Sequence, residues 1–185
     1  MIKLKAGPEV EPVVGSDVQT FLRLDSTDYN VRLGQMAKAA RIACENYTRR
    51  AFITQTWQLT LNIDQIRDTI KIPRPPLHAI RSIKIFRTKD DMVYQNPAHF
   101  NTDIVSEPGC VFLKIGYAWG LGVAMRNHQS MIVEYIAGFG DSPDDVPQDI
   151  KDSITETAAY YFTQGTTGVL PPDVITKLQP YRIYL

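Results

Sequence analysis

The 185-residue sequence has little of what marks the more specialised protein classes. Its two cysteines, Cys44 and Cys110, form no CxxC pair and no disulfide framework, which predicts buried thiols in a reducing compartment. No apolar run approaches the length of a membrane span, and the first residues lack the apolar core of a signal peptide. Twenty basic and twenty acidic residues leave no net charge. No global field therefore draws the chain to nucleic acid or to a membrane surface.

Motifs for catalysis and metal binding are also missing. His78, His99 and His128 share no metal-ligand spacing. The glycines of 116–122 precede no helix, which a phosphate-binding loop requires, and the aspartates of 141–152 lack the oxygen spacing of a calcium loop. No serine elbow or paired-carboxylate motif is present. We therefore expect no catalytic, cofactor-binding or metal site, and no enzyme.

What the sequence does contain is a change of period within residues 31–61. Apolar residues first recur at intervals of three and four, which predicts a helix ending near Arg50: Leu33, Met36, Ala37, Ala40, Ala43, Cys44, Tyr47 and Ala51. From Thr56 to Ile63 polar and apolar residues alternate, which is typical of a half-buried strand. The chain is thus expected to leave a helical layer and enter a sheet.

The flanking segments complete this outline. Residues 1–15 are expected to be extended, and Ser16 with Gln19 forms a capping box for a short helix whose Val18, Phe21 and Leu22 face inward. Further strands are predicted at 69–72, 80–87, 92–94, 100–105, 110–115 and 131–136. Two helices are expected afterwards, one from about 147 to 164 and a short one at 174–178.

This order of elements predicts an α+β fold. Residues 1–53 and 141–185 would form a small helical bundle, and residues 54–140 an inserted antiparallel β-sheet or small β-barrel.

Charge is unevenly distributed along the chain. Residues 31–50 carry a net charge of +4, and residues 141–156 a net charge of −5. These segments either neutralise each other within one subunit or meet between neighbouring copies in a head-to-tail ring. For the second interpretation the candidate intersubunit residues are Arg32, Lys38, Arg41, Asp144, Asp145, Asp149 and Asp152.

The last five residues alternate as a strand does. Tyr181, Ile183 and Leu185 would face one way, and Arg182 and Tyr184 the other. Such a segment can add a strand to the sheet of another protein. The alternative is that it folds back on the helices of its own chain.

Several runs resemble those of a known family when they are taken in order. They are EPV at 11–13, FLRLD at 21–25, YTRRAFITQTW at 47–57, IPRPPL at 72–77, VEYIAGFG at 133–140, VP at 146–147 and LQPYR at 178–182. This ordered set resembles the head–tail connector, or adaptor, proteins of tailed bacteriophages and gene-transfer agents. The loop at 116–130 departs from the family pattern because it lacks the usual prolines.

The resemblance implies a structural virion protein of the neck, at the capsid vertex, made in the host cytoplasm. It implies a homo-oligomeric, twelve-fold ring beneath the portal protein that extends the DNA channel and docks a tail-side stopper or tail terminator. DNA would pass through without sequence-specific binding. The family places portal binding in the C-terminal segment, here Tyr181, Arg182, Ile183, Tyr184 and Leu185.

Two other functions remain as alternatives. One is a nucleic-acid-binding module that uses the basic helix of 31–50, which would bind duplex in a salt-dependent way. The other is a small enzyme with its site around Trp119 and His128.

Overall fold

The computed structural model describes residues 1–88, 90–122 and 124–184, and within it the chain forms two compact units. The β unit comprises Met1–Pro8 and Thr54–Gly138, and the helical unit comprises Glu9–Ile53 and Phe139–Leu185. The mixed α+β class predicted from the sequence is confirmed. None of the described helices has both the length and the hydropathy of a membrane-spanning helix.

The β unit is built from antiparallel strands. The described strands are β1 Ile2–Ala6, β2 Gln55–Leu61, β3 Thr69–Lys71, β4 Leu77–Phe86, β5 Met92–Tyr94, β6 Phe100–Asp103, β7 Cys110–Leu113 and β8 Met131–Ala137. They are divided between two sheets, one with the order β1-β2-β8-β4-β5 and one with the order β3-β7-β6. Every pairing is antiparallel, as predicted.

The larger sheet is centred on β8, which connects parts of the chain that are distant in sequence. β8 pairs with β2, so that Trp57 lies opposite Tyr135 and Leu59 opposite Val133. It pairs on its other side with β4. These inward side chains are buried and supply the apolar core of the β unit. The sheet therefore depends on contacts between residues more than seventy positions apart.

Residues 2–6 are extended, as predicted, and β1 also pairs with β2 and becomes an edge of the larger sheet. The half-buried character predicted for β2 is wrong, since Thr56 and Thr60 are buried along with Trp57 and Leu59. As an interior strand flanked by β1 and β8, β2 is shielded by neighbours on both sides.

The helical unit packs four helices around one apolar core. They are α1 Gly15–Leu22, α2 Asn30–Thr48, α3 Gln148–Gln164 and α4 Pro172–Leu178. α2 presents Leu33, Ala37, Ala40 and Cys44 to this core, and α3 presents Ile150, Ile154, Ala158 and Tyr161. Small residues on both faces allow the two helix backbones to approach closely.

The start of α1 differs from the predicted capping box at Ser16. The helix begins at Gly15, and the Asp17 carboxylate accepts the backbone N–H of Val14 at 2.8 Å. A Cβ at position 15 would lie 2.4 Å from the carbonyl oxygen of Asn30, so only glycine allows α1 to begin against α2. Phe21 also departs from the prediction, because it lies outside the core with 53% of its surface exposed.

Candidate interaction surfaces

The C-terminal segment of residues 179–184 docks on the end of α2. The backbone N–H of Ile183 donates to the carbonyl of Thr48 at 2.9 Å, and the Arg50 guanidinium donates to the carbonyl of Tyr181 at 2.5 Å. Thr48 lies in the last turn of α2, where the carbonyl groups have no partner within the helix. Ile183 is 9% exposed. The backbone of the segment thus donates a hydrogen bond to a carbonyl that has no partner within α2.

Side chains hold the same segment in place. The Tyr181 hydroxyl donates to the Asp149 carboxylate at 2.7 and 2.8 Å. Burial, together with this hydrogen bond and the charge of Asp149, raises the pKa of Tyr181 to about 12. The Arg182 guanidinium lies 5.0 Å from the centre of the Tyr47 ring and 5.1 Å from that of Tyr184.

Of the two interpretations of the C-terminal segment, the fold-back on its own helices is the one this structure contains. In this conformation the N–H of Ile183 is already used and Tyr184 is exposed. Leu185, the last of the predicted portal-binding residues, lies outside the described residues.

A buried ion network lies on the side of α2 that faces the interior of the helical unit. The Arg41 guanidinium contacts Glu45 at 2.6 Å and Glu11 at 2.6 Å, and its side chain is 3% exposed. Burial opposes the charge of Arg41, but the carboxylates of Glu45 and Glu11 outweigh this effect, so the pKa of Arg41 lies above its ordinary value. Glu45 also accepts the backbone N–H of Phe52 at 2.9 Å. Arg41 therefore joins three segments of the helical unit.

The other candidate intersubunit residues lie at the surface. Arg32 and Lys38 are exposed on α2, and the guanidinium of Arg32 lies 5.7 Å from the centre of the Phe162 ring. Among the described residues, no ion pair joins Arg32 or Lys38 to an aspartate of 141–156. The two oppositely charged segments therefore do not pair through these cations inside the subunit.

The aspartates of this set have local roles at helix starts. Asp145 accepts the backbone N–H of Ser142 at 2.9 Å, and Asp152 accepts the side-chain amide of Gln148 at 2.8 Å. Asp149 lies in the first turn of α3, where a carboxylate interacts favourably with the helix dipole. Asp144 is exposed. Each leaves carboxylate lone pairs available for a cation from outside the chain.

Two concave surfaces lie on the helical unit, one acidic and one apolar. The first, which we call the acidic depression, has a volume of about 560 Å³ and is lined by α1, by the turn that precedes α3 and by the start of α3, including Asp17, Asp144 and Asp152. The second, the apolar groove, has a volume of about 580 Å³ and is lined by Ile42, Leu170 and other residues of α2, α4 and the loop between α3 and α4. The two surfaces share no residue.

The zero net charge conceals opposite charges on the two units. Counted over the sequence, the β unit has eleven basic and seven acidic residues, and the helical unit has nine basic and thirteen acidic residues. The basic segment of 31–50 thus belongs to the acidic unit. That placement disfavours a duplex-binding role for α2, because such a surface needs excess positive charge around it.

Among the described residues, the histidines and cysteines considered for catalysis or metal binding form no common site. His99 stacks on Tyr117 with ring centres 4.2 Å apart, and no group of His, Cys, Asp and Glu in the described part of the chain has the arrangement of a metal site. Burial raises the pKa of the Cys44 thiol to about 12, so Cys44 is an inert core residue as predicted. Cys110 is only half-buried, which corrects the prediction of two buried thiols.

Sequence reasoning missed the buried network and the apolar groove. Arg41 and Glu45 interrupt the predicted apolar face one turn apart, and this spacing was the available signal for a buried pair. The apolar groove had no comparable sequence signal. Leu170 and Ile175 line it only because α4 and the residues just before it pack beside α2.

Comparison with known proteins gives structural neighbours only. No protein-family model matches the chain, and no curated protein matches it significantly. Solved structures do match, and their chains come from the neck of an empty gene transfer agent (GTA) particle computed with C6 symmetry, the virion of a native GTA particle, and the neck of a native GTA particle computed with C12 symmetry.

The similarity extends over the whole chain. The TM-scores are 0.79, 0.78 and 0.71, at sequence identities of 18%, 17% and 18%, and each alignment covers 100% of this chain and 96% of the other. The protein thus has the fold of a chain found in the necks of gene transfer agent particles.

Proposed function

We propose that this protein is a structural component of the neck of a phage-like particle, a head–tail connector that forms a ring beneath the portal. The observation that carries the proposal is the full-length match to chains in GTA particles, two of them in structures described as necks. A neck protein needs surfaces for assembly and no reactive centre.

The symmetry of the neighbouring assemblies supports a ring. Two of these neighbours come from necks computed with six-fold and twelve-fold symmetry. A ring of identical chains uses one heterologous interface repeated around an axis. The exposed charges of opposite sign on α2 and at the start of α3 suit such an interface, with Arg32 and Lys38 of one copy facing Asp144, Asp145, Asp149 and Asp152 of the next.

The C-terminal segment is the proposed portal contact. In the single chain it is held by the Ile183–Thr48 backbone hydrogen bond, by the Arg50 guanidinium on the Tyr181 carbonyl, by the Tyr181–Asp149 contact and by the burial of Ile183. Portal contacts that replace these hydrogen bonds and bury Ile183 again would offset the loss of the intramolecular ones. The remaining partners would be a tail-side protein and DNA, which passes through the ring without being bound specifically.

Imaging the full chain with and without its portal protein tests this proposal. We expect rings on the portal, and we expect a chain that lacks residues 181–185 to bind the portal at least tenfold more weakly. The matched control is Val31→Ser, an exposed change on α2 that removes no described contact. Portal binding that is unaffected by the truncation would refute the C-terminal contact, and absence of the protein from particle necks would refute the function.

A further inference from the structure

α1 carries an aromatic residue on its outer face. Val18 is fully buried, whereas Phe21 is 53% exposed and Val14 is 47% exposed. Asp17 lies one turn before Phe21 and is also exposed. Aromatic residues are enriched at protein–protein interfaces relative to the rest of the surface. The outer face of α1 thus presents an apolar residue and a carboxylate one turn apart.

α2 carries the complementary pair at the edge of the apolar groove. Ile42 lines the groove and is 43% exposed, and Lys38 lies one turn before it on the same exposed side of the helix. Ile175 from α4 is 37% exposed on the far wall. This edge of the groove thus presents an apolar residue and an ammonium group one turn apart.

We propose that α1 of one copy packs against α2 of the next copy, with Phe21 seated in the apolar groove against Ile42 and with Asp17 paired with Lys38. Both pairs have an i, i+4 spacing, about 6 Å along a helix axis. The two contacts therefore form together when the two helices lie side by side and run in the same direction. This interface rests on the ring proposed above and assigns the residues that build it.

Charge complementarity identifies a second copy as the occupant of the groove. Asp17 lies in the acidic depression with Asp144 and Asp152, and Lys151 is the one cation among its lining residues. Three carboxylates against one ammonium group leave a net negative surface, which attracts Lys38 of a neighbouring copy. The groove and the depression share no residue, so each copy can offer both at once. A contact between two different patches is heterologous, as a ring requires.

Cross-linking of the full chain tests the apolar contact. In a Cys110→Ser background, Phe21→Cys combined with Ile42→Cys should give a ladder of disulfide-linked oligomers larger than dimers under mild oxidation. Each single cysteine variant should give dimers at most, because one cysteine links only two chains. A ladder with no closed ring on imaging would support the contact and would refute the ring.

A charge exchange tests the polar contact in the same preparation. Lys38→Asp and Asp17→Lys should each weaken self-association at least tenfold by sedimentation, and the double variant should restore it. The control is Asp25→Lys, an exposed acidic position outside both surfaces. The Asp17 cap on Val14 is lost both in Asp17→Lys and in the double variant. Self-association that returns in the double variant therefore indicates a direct contact between Lys38 and Asp17 and not an effect of the cap.

The outcomes separate the two proposals. If the wild-type chain forms rings, the charge-exchange variants form them equally well and the double cysteine variant gives no ladder, this interface is overturned and the neck function stands. If the wild-type chain stays monomeric at every concentration and the double cysteine variant gives no ladder, the interface and the proposed ring are overturned together.

Discussion

Replacing Arg41 by methionine should destabilise the helical unit strongly. Arg41 is 3% exposed at its side chain and contacts Glu45 and Glu11 at 2.6 Å each. Methionine fills similar space but removes the cation, so the carboxylates of Glu11 and Glu45 lose the guanidinium that both of them contact. Glu45 is itself buried, with a side chain that is 5% exposed.

The size of the effect follows from this burial. Removing one partner of a buried ion pair costs about 3–5 kcal/mol, because the remaining charge stays desolvated. A domain is stable by about 5–15 kcal/mol in total, so the loss is a large fraction of it. With a urea dependence of about 1–3 kcal/mol per molar, the unfolding midpoint should fall by on the order of 2 M.

The structure supplies a separate signal for each unit. The four described α-helices all belong to the helical unit, so ellipticity at the helix band reports on its unfolding. Trp57 and Trp119 both belong to the β unit, so tryptophan fluorescence reports on that unit. We expect the helical transition of Arg41→Met to shift. The matched control is Gln35→Met, an exposed position on the same helix, which should change stability by less than about 0.5 kcal/mol.

A second substitution checks the cause. Adding Glu45→Gln to Arg41→Met should recover part of the lost stability, because it removes the buried carboxylate charge and keeps an acceptor for the Phe52 N–H. If Arg41→Met costs no more than Gln35→Met, the network does not stabilise the fold and the reasoning from burial is wrong.

Three further predictions concern other groups. At neutral pH, alkylation of the folded protein should modify Cys110 and spare Cys44, whose thiol is buried and has a pKa of about 12, and mass spectrometry should find both modified after denaturation. Ile183→Ser should speed tryptic cleavage after Arg182 several-fold, since it removes the apolar anchor of the C-terminal segment. The hydrogen bond of the Tyr181 hydroxyl should stabilise the docked segment fully below about pH 10. This stabilisation should be lost as the pH rises towards 12, because the pKa of Tyr181 in the folded chain lies above the ordinary value. The ultraviolet titration of Tyr181→Phe should therefore lack the ionisation near pH 12.

Each of these predictions has a control. Val31→Ser, an exposed change on α2, should be cleaved at the wild-type rate, so equal acceleration would show that Ile183 is not the anchor. Cys44 modified as fast as Cys110 in the folded chain would contradict its burial. If Tyr181→Phe lacks an ionisation near pH 10 and keeps the one near pH 12, Tyr181 titrates as an ordinary tyrosine and its docked contact with Asp149 does not form in solution.

Local patterns predicted most of the elements, and long-range packing accounts for what they missed. The 3.6-residue period of α2 and the alternation of β8 are properties of neighbouring residues, and both elements formed where they were expected. The pairing of β2 with β8 depends on side chains seventy or more residues apart, so the sequence did not indicate the strand order. β1 did carry a signal, the alternation of Ile2 and Leu4 with lysines.

The candidate surfaces were less predictable than the fold. Opposite charges on α2 and α3 are visible in the sequence, but whether a cation is exposed like Lys38 or buried like Arg41 depends on where Glu11 returns to the helix. Phe21 was expected in the core because apolar residues usually are. It lies outside because α1 is short and Val18 already fills the inward position.

The edge position of β1 constrains how this protein can exchange parts with its relatives. The chain passes between the units after Pro8, after Ile53 and after Gly138, so the β unit consists of one long insertion and one separate N-terminal strand. β1 covers the edge of β2 that would otherwise expose unpaired backbone groups. A recombination event that exchanged residues 54–138 alone would leave the new sheet with a foreign edge strand and a tendency to aggregate. Exchange of the β unit is therefore expected to carry both segments together, or to keep the register between Ile2 and Leu59.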